Sequence, residues 1–274
     1  MQPTASPSPA ISPAAASVQP RRTALVTGAA RRLGRAIALA LARDGWDIGV
    51  HYADSEKEAR QTANDIRELG RQAVCLQARL EDPLAATGLV QELAAQLGPV
   101  GGLVNNASHF VHDDITTIDA TSLTTHLMPN LVAPLLLSRA VLQAMTPSQP
   151  EAVIVNLLDQ KLDNLNPDFL SYTVAKAGLA AATTMLAQAM APRVRVLGVA
   201  PGLTFASYLQ DEQAFERAHS RFSPLRRSST PEDVAAAVVF AMNNRSMTGT
   251  VLQVDGGQHL LRLPRDASLM PADE

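Results

Sequence analysis

Apolar residues follow two alternating rhythms along most of the chain. Short β-branched runs are apolar on both faces, and longer stretches carry an apolar residue every third or fourth position. The runs TALVTG (23–28), DIGVHY (47–52), AVCLQA (73–78), GGLVNNA (101–107), AVIVNLL (152–158), VRVLGVAPG (194–202) and TVLQVDGG (250–257) predict seven strands. Helices are predicted over 32–44, with Leu33, Ile37, Ala40 and Leu41 at helical spacing, then from a cap at Ser55 to about 69, and over 84–98. Further helices are predicted around 123–145, 169–190 and 231–242. Strands of this kind alternating with helices suit a parallel sheet covered on both sides. The expected fold is α/β: one doubly wound Rossmann-type domain with a seven-stranded parallel sheet. Ligands should bind at the carboxyl ends of its strands.

Composition supports a single sizeable core, with 274 residues, 46% hydrophobic and 18% charged. The first twenty residues, MQPTASPSPAISPAAASVQP, contain Pro, Ala and Ser but no charge, so 1–20 is expected to be a disordered tail. The domain should span 21–262 and a C-terminal tail 263–274, disordered after about Asp266. A net charge of −3 without a charged run gives no sign of a nucleic-acid partner. No apolar run looks long enough for a membrane span, and the N-terminus lacks the pattern of a secretory signal. The lone Cys75 excludes an intramolecular disulfide. A cytoplasmic protein is expected.

The stretch VTGAARRLGRAIALAL (26–41) carries the first chemistry. A strand ending at Thr27, a bend at Gly28 and Gly34 in the first helical turn would present backbone N–H groups to a pyrophosphate. Arg31, Arg32 and Arg35 oppose the dipole of a helix N-terminus unless an anion lies there. The second strand ends in His51 and Tyr52, with no acid to hold a ribose 2′-hydroxyl, and Ser55 follows. This pocket suits a 2′-phosphate, and hence NADPH. Tyr172 and Lys176 are four apart in a helical stretch. An ammonium there would lower the phenol's pKa, and such a phenol can act as a general acid.

Taken in order, Thr27-Gly28 through Gly34, Asn105-Asn106-Ala107, Tyr172-x-x-x-Lys176, Pro201-Gly202 and the closing VDGG resemble the short-chain dehydrogenase/reductase family. The resemblance implies an NAD(P) cofactor, usually a homotetramer, and a Ser–Tyr–Lys catalytic set aided by an Asn, here Asn130. It places the cofactor against Gly28, Arg31, Arg32, Leu33 and Gly34, and against His51, Tyr52 and Ser55. Asn106, Ala107, Tyr172, Lys176, Pro201, Gly202 and Thr204 complete that set. Three departures from the family pattern resemble its pteridine reductase branch: Arg32 for a glycine, Asp159 for the catalytic Ser, and Ser108 with Phe110 after NNA. That branch also implies a C-terminal arginine near a neighbouring subunit's site, matched in spacing by Arg262.

A pterin is flat and rich in hydrogen-bonding edges. Phe110 would stack on it, while Ser108 and Arg32 address its polar atoms. Asp159, with Tyr172, would supply the proton that reduction of a C=N bond requires, provided burial raises its pKa. His109, His112 and His126 read as surface or pocket histidines, with no metal site expected. Two alternatives stay open: a generic carbonyl reductase or alcohol dehydrogenase acting on a thioester, sugar or steroid, and a non-catalytic cofactor-binding regulator. The presence of both Tyr172 and Lys176 speaks against the regulator.

Overall fold

The structure, a computed structural model, describes residues 22–149, 151–206, 208–209 and 211–270. The expected tail 1–20 lies outside the described residues. The chain runs β1 (Arg22–Val26), α1 (Arg32–Arg43), β2 (Trp46–Tyr52), α2 (Glu56–Glu68), β3 (Ala73–Gln77), α3 (Pro83–Leu97) and β4 (Val100–Asn105). There follow α4 (Ala120–Leu127), α5 (Ala133–Ala144), β5 (Ala152–Leu157), α6 (Leu170–Met190), β6 (Val194–Pro201), α7 (Glu212–Arg221), α8 (Pro231–Asn243) and β7 (Val251–Val254). All seven strands are parallel, in the order β3-β2-β1-β4-β5-β6-β7. The order reverses between β1 and β4, where strand carboxyl ends diverge and open a crevice.

Both sheet faces are dry. Ile37, Leu41, Ile48, Val50, Val104 and Val238 pack on the side of α1, α2 and α8. Leu25, Leu89, Leu93, Leu103, Leu137 and Ile154 pack on the side of α3 and α5. Every residue of β5 is buried, as a central parallel strand demands, whereas edge strand β7 is partly exposed. Polar ties fix the helices to this core. Arg195 on β6 donates to the carbonyls of Ala241, Met242, Asn244 and Met247, satisfying the C-terminal end of α8. A buried chain from Asn105 to Asn156 (2.8 Å) to Thr183 (2.9 Å) links β4, β5 and α6.

The predicted helix over 123–145 departs from expectation. α4 and α5 are joined by a π-turn at Met128–Val132, because Pro129 and Pro134 lack the N–H that a continuous α-ladder needs. The helical run Ala120–Ala144 has 25 residues and includes an 18-residue stretch with a mean hydropathy of 1.3, so by length and composition it could cross a membrane, contrary to the expectation from sequence. Here it packs against α3 and α6 through residues such as Leu137 and Val141. Helix α7 is absent from the sequence expectation: it is mostly polar, and its buried residue is Ala218.

Candidate active site

The first turn is built for close backbone approach. Gly28 has φ +63°, and a Cβ there would lie 3.1 Å from the Ala107 Cα. A Cβ on Gly34 would lie 2.1 Å from the Gly28 carbonyl oxygen, so neither position accepts a side chain. Buried Thr27 locks this turn to the end of β4: its hydroxyl accepts from Asn106 N (2.9 Å) and Ala107 N (3.0 Å), while Asn106 Nδ2 donates to Thr27 O (2.9 Å). His51 supports the turn from below. Its Nδ1 accepts from Gly28 N at 3.0 Å, and Nε2 faces the Ala78 carbonyl at 3.2 Å. That pairing requires a neutral imidazole protonated on Nε2. Burial, offset in part by the Ala78 hydrogen bond, lowers its pKa from 6.5 to about 4.

Arg32 occupies φ +52°, the left-handed region that favours glycine. Its guanidinium lies 4.7 Å from the Phe205 ring centroid and donates to Ala206 O at 3.3 Å. Arg32 therefore spans the crevice from the cofactor-type turn to the segment after β6. Arg35 pairs with Asp65 at 2.6 Å and faces away from an anion role. Among the described residues the Arg31 side chain has no partner, and the first turn of α1 contains no acid. Ser55 heads α2 without capping it through its hydroxyl. Asp54 and Arg79 form an exposed ion pair at 2.6 Å beside it.

These elements bound a cleft of about 690 Å³ that also reaches Ser108, Phe110, Asp159, Tyr172, Lys176, Pro201, Gly202 and Thr204. Gly202 is wedged: a Cβ there would meet Ser228 Oγ at 2.3 Å. Thr204 Oγ1 donates to Gly202 O at 2.9 Å. Leu33, Tyr52 and Ala107 line the cleft as well. Unpartnered Arg31 beside a bare helix N-terminus, the free Ser55 hydroxyl and the two glycine-cleared approaches fit a dinucleotide bearing a 2′-phosphate.

At the cleft floor Tyr172 Oη donates to Asp159 Oδ2 at 2.7 Å, and Asp159 Oδ1 accepts from Lys161 N at 2.8 Å. Burial raises the Asp159 pKa, as the sequence reading required. Burial, together with the adjacent Asp159 carboxylate, pushes the Tyr172 phenol well above its usual range. The expected lowering by Lys176 is thus overturned. The Lys176 ammonium donates to Leu157 O at 2.7 Å and lies 5.7 Å from the Tyr172 ring centroid. Burial depresses Lys176 itself from 10.5 to about 8.

Asn130 is buried at the π-turn. From the π-turn its amide donates to His109 O (2.8 Å) and accepts from His109 N (3.1 Å), clamping the loop that carries Ser108 and Phe110. Phe110 stacks on Phe169 with centroids 4.2 Å apart and meets Tyr172 edge-on at 4.8 Å. Phe169 has φ +55°, and α6 is capped by Asp113, whose Oδ1 accepts from Ser171 N at 3.0 Å.

Several site residues escaped the sequence reading: Asp113, Lys161, Phe169, Phe205, Tyr208 and the C-terminal segment. The aromatics spaced in FASYLQ are the available signal. The segment expected to be disordered after Asp266 is ordered to Met270. It forms a 3-10 turn at Ala267–Leu269 with Ala267 buried, and Asp266 and Ser268 line the cleft. Arg262 is exposed within this chain, and Arg265 is the arginine that docks.

Comparison with known proteins agrees with this geometry. The family model described as enoyl-(acyl carrier protein) reductase matches residues 28–259. The chain is 29% identical over 247 residues to 3-oxoacyl-[acyl-carrier-protein] reductase FabG of Staphylococcus aureus, covering 87% of this chain and 98% of that one. The structure of FolM alternative dihydrofolate reductase 1 from Brucella canis, complexed with NADP, superposes with a TM-score of 0.82 at 38% identity, covering 88% of this chain and 95% of the other. LugOII, a promiscuous reductase that catalyses keto-reduction at C1 during lugdunomycin biosynthesis, gives 0.81 at 30% identity, over 88% and 98%. The likeness to FolM supports the pteridine-reductase-like side of the family. With a glycine-cleared dinucleotide turn, a Tyr–Lys pair at the strand ends and a family match over residues 28–259, the protein is an NAD(P)-dependent oxidoreductase belonging to the short-chain dehydrogenase/reductase family.

Proposed function

We propose that this protein is an NADPH-dependent reductase of a C=N bond in a pterin or dihydropterin. The observation that carries the reading is Asp159 in direct hydrogen bond with Tyr172, beside Phe110, in place of the family's serine. When bound, NADPH supplies hydride to the ring carbon. The chain's own residues must then deliver one proton to the ring nitrogen. Asp159, its pKa raised by burial, is the acid at that end of the cleft, and Tyr172 is held protonated beside it. Lys176, anchored on Leu157 O, places positive charge under the pair and offsets the charge left after proton transfer. Phe110, backed by Phe169, offers a flat wall to an aromatic ring, with the exposed Ser108 hydroxyl and Arg32 at its rim.

The 38% identity to FolM supports this substrate class. Arg31, Ser55 and the absence of an acid at the end of β2 support NADPH. A second reading, reduction of a ketone such as a 3-oxoacyl thioester, is favoured by the intact Tyr172–Lys176 pair and the likeness to FabG. NADPH oxidation measured side by side with dihydropterins, dihydrofolate and acetoacetyl thioesters separates the two. Faster reduction of the thioester than of any pterin overturns the first. A homotetramer with Arg262 at a subunit interface belongs to the same reading, and sedimentation as a monomer would contradict that part.

A further inference from the structure

The loop 158–169 between β5 and α6 carries Asp159 near one end and Phe169 at the other, and its regular structure is a 3-10 turn at Gln160–Asp163. Two of its charged side chains are buried, and both are compensated mainly from the C-terminal segment of the same chain. Asp168 is 1% exposed. It accepts from Arg265 Nε (3.0 and 2.8 Å) and Nη2 (2.7 Å) and from Asp266 N (2.8 Å). Lys161, 3% exposed, donates to Asp266 Oδ2 at 3.0 Å and to Asn166 Oδ1.

The backbone N–H of that same Lys161 donates to Asp159, whose other oxygen holds the Tyr172 phenol. A continuous set of hydrogen bonds therefore runs from Arg265 and Asp266 to the pair facing the cleft. Removing one partner of a buried ion pair leaves an uncompensated charge, so the loop keeps this course only while the segment is docked. Arg265 suits the task because its planar fork engages both carboxylate oxygens, which lysine cannot do.

We propose that Arg265 and Asp266 are positioning residues, whose docking on Asp168 and Lys161 holds the loop where Asp159 meets Tyr172. The proposal rests on the reading of Asp159 and Tyr172 as the proton-donating pair, and not on which substrate they serve.

The test uses the full-length chain, NADPH and whichever substrate the wild type reduces fastest. Arg265→Ala, Arg265→Lys and Asp266→Asn are measured alone and combined with Asp159→Asn. Alone, each lowers kcat, with Arg265→Ala losing roughly 10- to 100-fold, the scale set by displacing a reacting group by about an ångström. Arg265→Lys keeps the charge without the fork and falls between wild type and Arg265→Ala, while NADPH affinity stays unchanged. In the Asp159→Asn background the same substitutions cost little more, because the group they position is already gone. Wild-type kcat in the single variants, full additivity with Asp159→Asn, or losses that merely track the folded fraction in thermal melts would each overturn the proposal. Failure of the reading beneath it looks different: Asp159→Asn by itself would then keep wild-type kcat.

Discussion

The phenol of Tyr172 donates to the Asp159 carboxylate at 2.7 Å, so an acid stands directly on the oxygen that faces the cleft. A serine at that position would orient the phenol equally well but could not supply a proton from a carboxyl group. Under the proposed reading this contact carries the proton for a C=N bond, and it sets the first expected outcome.

Asp159→Asn and Asp159→Ser should lower kcat on a dihydropterin by about 10²–10⁴-fold, the usual contribution of a general acid. KM should move little, because Phe110, Ser108 and Arg32 remain in place. Steady-state turnover across pH checks this. Near-wild-type rates in both variants, with a model ketone reduced faster than any pterin, would leave the carbonyl-reductase reading standing.

Cofactor choice follows from the bare helix N-terminus with unpartnered Arg31 and from the free hydroxyl of Ser55. NADPH should be preferred over NADH, and the preference should shrink as salt screens the phosphate contacts. Arg31→Ala should erode it further. The measurement is kcat/KM for the two cofactors at low and high ionic strength, and equal values at low salt would defeat the expectation.

Arg32 holds a backbone conformation that costs a non-glycine residue roughly 1–2 kcal/mol. Its stacking on Phe205 and hydrogen bond to Ala206 offset part of that cost. Arg32→Gly should therefore leave Tm unchanged or raise it, while KM for both NADPH and substrate increases. Arg32→Ala keeps the backbone strain and loses the contacts, so its Tm should fall. Melting curves of the two variants decide: an identical drop in both would show that the strain argument is wrong.

His51 stays neutral in the folded chain down to about pH 4, whereas in the unfolded chain it takes up a proton near the ordinary imidazole value of 6.5. Between those values the unfolded state binds more protons, so stability should decline as pH falls from about 6.5 toward 4. The full interval corresponds to roughly 3 kcal/mol. His51→Gln should lose about 1–3 kcal/mol at neutral pH through the unmet bonds to Gly28 and Ala78, and its stability should depend less on pH in this window. Denaturant unfolding at a series of pH values tests both slopes; parallel curves would exclude His51 as their cause.

Features that depend on short stretches of chain were legible in the sequence. The strand runs buried on both faces, the helical spacing of Leu33, Ile37 and Leu41, the Gly28–Gly34 turn and the four-residue step from Tyr172 to Lys176 all follow from local periodicity and steric need. The element order then limits a parallel sheet to very few topologies, with its ligand crevice at the reversal between β1 and β4. What the tertiary structure decided are partnerships between residues far apart in the chain. Asp113 caps a helix beginning 57 residues later. Arg32 reaches Ala206, 174 residues away, and Arg265 reaches Asp168, 97 residues away. His51, which lines the cleft, also holds Gly28 N from 23 residues away. Tyr172 is raised instead of lowered because burial and Asp159 outweigh a lysine whose ammonium is anchored elsewhere. No local pattern encodes such pairs: a side chain's partner and its solvation are set only when the assembled sheet brings distant segments together and removes water from between them.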